Sequence, residues 1–381
     1  MIVPPATIGV LGGGQLGRYT VVAARLAGYR TVVLDPDPAA PAGRVADEHL
    51  VAAYDDPDAL DRLATMCAVV TTEFENPPAD ALSRLAADVV VAPSPHAVAV
   101  AQDRRSEKRF LSGLGVPTAP FAVVEELNEP AAIGYPAILK TARLGYDGKG
   151  QRTVASAVDL RSARDELGGV PCVLERRVPL DVELSVVLAR TADGCTAVYP
   201  VAENHHRHGI LDLTVVPARV APELASAAVD LATRIADALD YVGVLAVELF
   251  VSDGELLVNE LAPRPHNSGH WTLDAATVSQ FDQQVRAVCG AALGATGMTA
   301  PAAAMVNLLG DLWSDGDPDW AVVLADRATR LHLYGKAAPR PGRKMGHLTV
   351  LDTTPDAAAE RARTLRRRLQ LGLEGGQPVD G

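Results

Sequence analysis

The sequence predicts an α/β protein with a Rossmann-like N-terminal domain, a central α+β domain and a small β-rich C-terminal domain. Three observations carry this. The chain has 381 residues, more than one ordinary core holds at roughly 100 to 200 residues per domain. Hydrophobic residues make up 48% of it and aromatics 4%, so the cores must be built from Val, Leu, Ala and Ile, which suits layered helices and sheets. Hydrophobic periodicity opens as strand, glycine turn, helix, strand, and becomes strand-rich from Pro136 onward.

In order, residues 6–11 read as a buried strand, 12–17 as a tight turn, 15–28 as a helix with one apolar stripe, and 31–34 as a second strand ending at Asp35. This is a doubly wound start, continued by strand-like runs at 68–71 and 88–92. Ala92-Pro93-Ser94-Pro95 closes the first domain, and one long helix is expected from there to about Ser112. Strands follow at 137–140, 171–175, 182–189 and 197–201, and a helix at 222–239. Two further strands, 242–251 and 255–261, flank Ser252-Asp253-Gly254, whose Asp-Gly pair signals a hairpin. Past Thr299 short strand patterns alternate with turns, and a loose tail begins at about Gly372. No internal repeat is visible.

The formal net charge of −12 argues against a non-specific nucleic-acid surface or an acidic-membrane surface, which needs a sustained basic face. Cys67, Cys172, Cys195 and Cys289 are scattered without a C-x-x-C pair, as expected of core thiols in a reducing compartment. No signal peptide or membrane span is indicated, so a cytoplasmic location is expected.

Gly12-x-Gly14-x-x-Gly17 follows a strand and opens a helix, and Asp35 ends the next strand, so the dinucleotide fingerprint is matched in spacing and context. Physically it says less: glycines let a backbone approach a phosphate, and a helix N-terminus offers free N–H groups. NAD, another phosphorylated ligand, and a plain tight turn all remain open readings.

Glu248 and Glu260 form the strongest pair. Each lies in an apolar run on one strand of the expected hairpin, and adjacent antiparallel strands bring two carboxylates onto one face. A divalent cation would relieve their repulsion, and hard Mg²⁺ takes carboxylate and phosphate oxygens, with Mn²⁺ as a substitute. Asn259 adds a neutral oxygen. A solvated acidic hairpin is the plainer alternative, which the apolar flanks disfavour.

Only five of the 35 basic residues are lysine, namely Lys108, Lys140, Lys149, Lys336 and Lys344. Ammonium and guanidinium are not interchangeable where charge must sit at one point, although for Lys108 and Lys336 chance retention is an equal reading. Lys140 ends a strand before the glycine-rich 144–150, which suits a cation on nucleotide phosphates beneath a closing loop. Glu175 ends another strand and is followed by Arg176-Arg177-Val178, whose backbone could read an adenine edge, and Glu183 could accept ribose hydroxyls. His205-His206-x-His208 could equally suggest a metal cluster.

The order Asp103-Arg104, Lys108, Lys140, Gly145-Tyr146-Asp147-Gly148-Lys149-Gly150-Gln151, Glu175-x-x-Val178, Glu183, Glu248 and Asn259-Glu260 resembles the ATP-grasp enzymes. More narrowly, Asn259-Glu260-Leu261-Ala262-Pro263-Arg264-Pro265-His266-Asn267-Ser268-Gly269-His270-Trp271-Thr272 resembles the 5-(carboxyamino)imidazole ribonucleotide synthetases. So do 12–18, Thr72-Glu73-Phe74-Glu75-Asn76, 304–310 and Pro341-Gly342-Arg343-Lys344-Met345-Gly346-His347. The resemblance spans nearly the whole chain and departs at Leu144, where that family usually shows another glycine.

It implies a Rossmann-like pre-ATP-grasp domain at 1–103, an ATP-grasp domain at 104–300 with a lid at about 115–180, and a C-terminal domain at 301–381. Nucleotide contacts would fall on Arg104, Lys140, Gly145 to Gln151, Glu175 to Val178, Glu183, His206, Asn259 and Glu260, with metal on Glu248 and Glu260. The implied reaction is ATP-dependent carboxylation of 5-aminoimidazole ribonucleotide by bicarbonate through carboxyphosphate, in a homodimer. Arg343 and Lys344 with Gly14, Gln15 and Leu16 would hold the substrate phosphate, and Glu75, Tyr146, His266, Asn267 and Ser268 the rest of it. Asp147, Arg264 and Lys344 would serve the chemistry, Asp147 in proton transfer. A formate-using purine ligase is the nearest alternative, an NAD-dependent oxidoreductase a more distant one, and a nucleotide-binding regulator without turnover a third.

Overall fold

A computed structural model describes residues 1–125, 133–145 and 148–371. The N-terminal domain is a five-stranded parallel sheet in the order Glu48–Leu50, Arg30–Leu34, Thr7–Leu11, Val69–Thr72, Val90–Val91. Helices Gln15–Leu26, Pro57–Met66 and Ala79–Asp88 accompany it. Asp56 caps the second of these by accepting from the Ala59 N–H at 2.9 Å. The strand order reverses beside Thr7–Leu11, so the glycine turn and Glu73 meet at the crevice where doubly wound sheets bind ligands.

The expected single long helix after Pro95 is two, Pro95–Ala101 and Arg104–Gly113. Asp103 leaves helical geometry and its carboxylate accepts from the Arg105 N–H at 3.0 Å, starting the second helix afresh. That break aims Arg104 and Lys108 at the central domain.

A four-stranded antiparallel sheet, in the order Phe121–Val124, Cys172–Arg176, Ala137–Thr141, Gln151–Val154, forms the smaller lobe and packs on helix Asp159–Glu166. The main sheet has nine strands. Its path runs Glu255–Ala262, Gly243–Ser252, Val182–Arg190, Ala202–Arg207, Ile210–Val216, Ala302–Leu309, Lys344–Asp352, Thr329–Leu333, and Thr196–Val198 pairs beside Val182–Arg190. The region read as a strand at 197–201 divides, because Tyr199 turns inward, fully buried against Trp271. The strands of the C-terminal domain extend the central sheet, and helix Pro355–Leu371 covers them through Ala358, Ala362 and Leu365. This helix is absent from the sequence reading.

Each face of the main sheet has its own core. Helix Pro222–Ala238 and helix Arg104–Gly113 pack against Leu184, Val186, Val247 and Leu249 on one side; Trp271, Tyr199 and Met305 fill the other. Ile8, Leu16 and Ala24 of the first domain join Phe281 and Val285 of helix Gln280–Val288, fixing the first domain to the central one. Among the described residues no helix is long and apolar enough to cross a membrane.

Candidate active site

A cavity of about 1490 Å³ opens where the three domains meet. Its wall takes Gln15, Leu16, Glu73 and Glu75 from the first domain and Lys336, Arg343 and Lys344 from the last. Between them lie Arg104, Lys140, Gly148, Lys149, Gln151, Glu175, Arg176, Arg177, Val178, Glu183, His206, Glu248, Asn259, Glu260, Arg264, His266 and Asn267. Most of the residues singled out from sequence are thus gathered. Tyr146 and Asp147 lie outside the described residues, as does the tail from 372 onward.

At the centre, Glu248 and Glu260 are direct cross-strand partners, with a register shift between Glu248 and Leu249. Burial would raise the Glu248 carboxyl, but the hydrogen bond and charge of His266, with the charges of His206 and Lys344, hold it down at about 2. His266 Nε2 is 3.1 Å from Glu248 Oε1, and Arg104 is 2.9 Å from Glu260 Oε2. Two carboxylates on facing strands, with the Asn259 side chain donating to Glu248 at 3.5 Å, make a set whose oxygens fit Mg²⁺ or Mn²⁺.

Beside them Lys140 Nζ sits 2.8 Å from Glu175 Oε2 and 3.4 Å from Asn259 Oδ1. Burial alone would raise Glu175, yet the charges of Lys140 and Lys108 bring it from 4.5 to about 2. A depressed carboxyl contributes stability that is present above its unfolded value and lost as pH falls towards the folded one. Acid unfolding followed by circular dichroism should therefore include a loss between about pH 4.5 and 2 that Glu175→Gln removes; an identical acid limb in the variant would deny the pair that role.

The histidine run is not a metal cluster. A bulge between His205 and His206 sends neighbouring rings to different partners. His205 Nε2 lies 2.8 Å from Glu203 beside Arg219, while His206 hydrogen-bonds Glu183 on the cavity wall. Burial lowers the His206 pKa, but Glu183 outweighs it and the net direction is up. His208 occupies the hairpin turn at φ 54°. A second group, Asp274, His332 and His347, is compact enough to suggest an ion. The two imidazoles are stacked, 4.5 Å apart at 14°, so their in-plane lone pairs cannot converge on one metal. With His270 and Tyr19 they form an aromatic stack between domains.

The dinucleotide fingerprint is filled from within. Glu73 accepts from the N–H groups of Gly14 at 3.1 Å and Gly17 at 3.0 Å, where a pyrophosphate would otherwise dock. Asp35 accepts from Gly13 N–H at 2.6 Å and the Tyr54 hydroxyl at 2.7 Å, clasping the turn where a dinucleotide site would use it on a ribose. A Cβ on Gly14 would stand 2.7 Å from Glu73 Oε1, which explains a glycine there. Gly14 therefore serves the turn, while Gln15 and Leu16 face the cavity.

Three other sequence candidates are not on the main cavity wall. Ser268 is fully buried and holds His266 Nδ1 at 2.8 Å from its hydroxyl, itself 2.8 Å from Ser185. Gly145 and Gly150 pack beside Thr141, Gly150 at φ 72°. Leu144 has φ 62°, a left-handed conformation that favours the glycine of the resembled family. Arg264 pairs with Glu75, and Arg343 donates to the Ala338 carbonyl at 2.9 Å.

Sequence reading gave no role to Glu73 or Glu107 and left Lys336 open between function and chance. Lys336 lines the cavity and donates to the Lys344 carbonyl at 2.8 Å, and its rarity as a lysine was the available signal. Glu107 is buried beneath Glu260; burial and that neighbour raise its carboxyl to about 8, and it accepts from Leu261 N–H at 2.6 Å. Nothing in a helical Arg-Arg-Ser-Glu-Lys run distinguishes it from a solvated acid.

Comparison with known proteins finds a match for each of the three domains. Residues 5–102 match a ribonucleotide synthetase pre-ATP-grasp domain, 109–281 an ATP-grasp domain, and 303–361 a phosphoribosylaminoimidazole carboxylase C-terminal domain. The chain is 45% identical over 353 residues to the N5-carboxyaminoimidazole ribonucleotide synthase of Brucella melitensis, covering 91% of this chain and 96% of that one. It is 42% identical over 361 residues to the Bacillus subtilis synthase, covering 93% and 94%. Among solved structures, the Thermus thermophilus synthetase superposes with TM-score 0.87 at 43% identity over 98% of this chain and all of that one. The Aspergillus clavatus synthase bound to ADP and 5-aminoimidazole ribonucleotide gives 0.86 at 32% identity, covering 96% and 98%. The chain therefore belongs to the N5-carboxyaminoimidazole ribonucleotide synthase family of ATP-grasp enzymes.

Proposed function

We propose that this enzyme carboxylates 5-aminoimidazole ribonucleotide at its exocyclic amine, using ATP and bicarbonate, in purine biosynthesis. The observation that carries the reading is the opposed Glu248 and Glu260 pair facing a cavity that also holds Lys140, Arg264 and Lys344. A bicarbonate oxygen takes the γ-phosphoryl group as the bond to ADP breaks. The amine then attacks the carbon of carboxyphosphate, its bond to phosphate breaks, and the nitrogen sheds a proton. Both steps gather negative charge, and cations fixed in the cleft stabilise it without reorganising.

Lys140 and Arg104 serve the nucleotide phosphates, 175–178 the adenine, and Glu183 with His206 the ribose. Asn259 and Glu260 complete the nucleotide site. A divalent ion on Glu248 and Glu260 supplies charge neutralisation to the phosphates when bound. Arg264 and His266 face the carboxyl-transfer region, while Arg343 and Lys344 take the ribonucleotide phosphate together with Gln15 and Leu16. Glu75 and Asn267 orient the ring. The enzyme is read as a cytoplasmic homodimer, which light scattering checks.

Phosphate release measured with and without bicarbonate, formate and aminoimidazole ribonucleotide separates this reaction from its neighbours. Full turnover should need bicarbonate and the ribonucleotide together, and formate in place of bicarbonate should give none. In thermal unfolding, ATP should raise the midpoint only with Mg²⁺ present, and NADH should leave it unchanged. An NADH shift without a Mg²⁺-ATP shift would overturn the assignment.

A further inference from the structure

Among the described residues Lys108 is the largest charged side chain with no exposed surface, and it does not reach the cavity wall. It lies one helical turn beyond Arg104, with Nζ 3.4 Å from Glu175 Oε1 and 3.2 Å from the Asn259 carbonyl. Glu175 is itself almost fully buried, and its other oxygen is held by Lys140 at 2.8 Å. One carboxylate is thus shared by two ammonium groups, one sealed behind the site and one facing it. Glu175 Oε1 has no hydrogen-bond partner among the described residues, so the contact with Lys108 is a charge contact.

We infer that Lys108 is a positioning residue that keeps Glu175 neutralised while Lys140 turns from it to the nucleotide phosphates. The inference rests on the proposed nucleotide role of Lys140. A buried carboxylate stripped of its partner is strongly unfavourable, so with only the more distant charge of Arg104 beside it Lys140 would be held on Glu175 and withheld from a ligand. With Lys108 fixed behind, Glu175 keeps a counter-charge when Lys140 leaves. The Asn259 carbonyl under Lys108 adds a second function, since it ties the strand carrying Asn259 and Glu260 to the same ammonium.

Lys108 therefore acts on ATP without touching it, and the two lysines divide one task. Lys108→Met, of similar length and no charge, should raise the Michaelis constant for Mg²⁺-ATP by on the order of tenfold or more while that for the ribonucleotide changes much less. In a Glu175→Gln background Lys108→Met should cost almost nothing further, so that the double variant matches Glu175→Gln alone, because no carboxylate is left to detain Lys140. A merely structural lysine would cost as much there as in the wild type. If Lys108→Met fails to fold, Mg²⁺-ATP binding by calorimetry in Lys108→Met/Glu175→Gln, compared with Glu175→Gln alone, keeps the question answerable. Equal affinities are expected, and a tenfold weaker double variant overturns the inference. An unchanged constant in folded Lys108→Met does the same. Lys140→Met is measured in parallel. If it leaves Mg²⁺-ATP binding intact, the nucleotide-site assignment fails; if it weakens binding and Lys108→Met does not, only the role of Lys108 falls.

Discussion

Glu260→Gln is expected to lower turnover by about a hundred- to a thousandfold or more, the scale on which one preorganised electrostatic contact acts in a closed site. The substitution preserves shape and removes one charge. In the folded protein Glu260 faces Glu248 across two strands and is held by Arg104 at 2.9 Å. Losing the charge relieves repulsion from Glu248 and deprives Arg104 of a partner, two effects of opposite sign, so the melting temperature without ligand should move little. The Mg²⁺-dependent part of ATP stabilisation should disappear, because a glutamine oxygen is a poor substitute for a carboxylate on a hard cation. Glu248→Gln should behave alike and also free His266, 3.1 Å away. A Glu260→Gln enzyme with wild-type turnover would remove this residue from the reaction.

That pair also marks how far sequence carries. The Asp253-Gly254 turn made the hairpin legible, and both residues take the positive φ such turns need, 52° and 79°. Unbroken pairing outward from Ser252 opposite Glu255 would place Asn259, not Glu260, across from Glu248. The bulge at Glu248 and Leu249 shifts the register by one residue and makes the two acids face each other. No residue type in those apolar runs announces the bulge, and the sequence offered only the right strands. A bulge likewise decides His205 and His206, which three histidines in four residues could not reveal.

The first glycine turn shows the opposite limit, where a motif was fully legible and its usual partner wrong. Its glycines satisfy a steric demand of the turn, and that demand is the same whether an outside phosphate or an internal carboxylate takes the N–H groups. Glu73 lies 59 residues from Gly14 in sequence, so its part becomes visible only when the parallel sheet brings Val69–Thr72 beside Thr7–Leu11. The burial of Lys108 and Glu107 was hidden for a related reason. A charged helix of four-residue period looks solvated until a second sheet covers it, and burial then turns ordinary charges into constraints.

Lys344→Ala should raise the Michaelis constant for the ribonucleotide far more than that for ATP. Lys344 begins its strand on the C-terminal wall of the cavity, whereas Glu175 and Arg176 come from the smaller lobe, and Lys336 fixes the Lys344 carbonyl at 2.8 Å. A phosphate held there would be met by an ammonium and the neighbouring Arg343, both on the cavity wall. A charge-assisted hydrogen bond of roughly 1.5 to 3 kcal/mol corresponds to a loss on the order of ten- to a hundredfold in kcat/KM for the ribonucleotide. Lys344→Arg should recover only part of this, since the guanidinium reaches further and forks. The charge of Lys344 also helps hold Glu248 ionised, so a smaller rise in the Mg²⁺ requirement should accompany the main effect. Steady-state kinetics with each substrate varied in turn separates the two. An alanine variant that lost ATP affinity and kept normal use of the ribonucleotide would assign Lys336, Arg343 and Lys344 to the triphosphate. The substrate phosphate would then have to be sought among the other cations of the cavity, with Arg264 released from Glu75 the first to test.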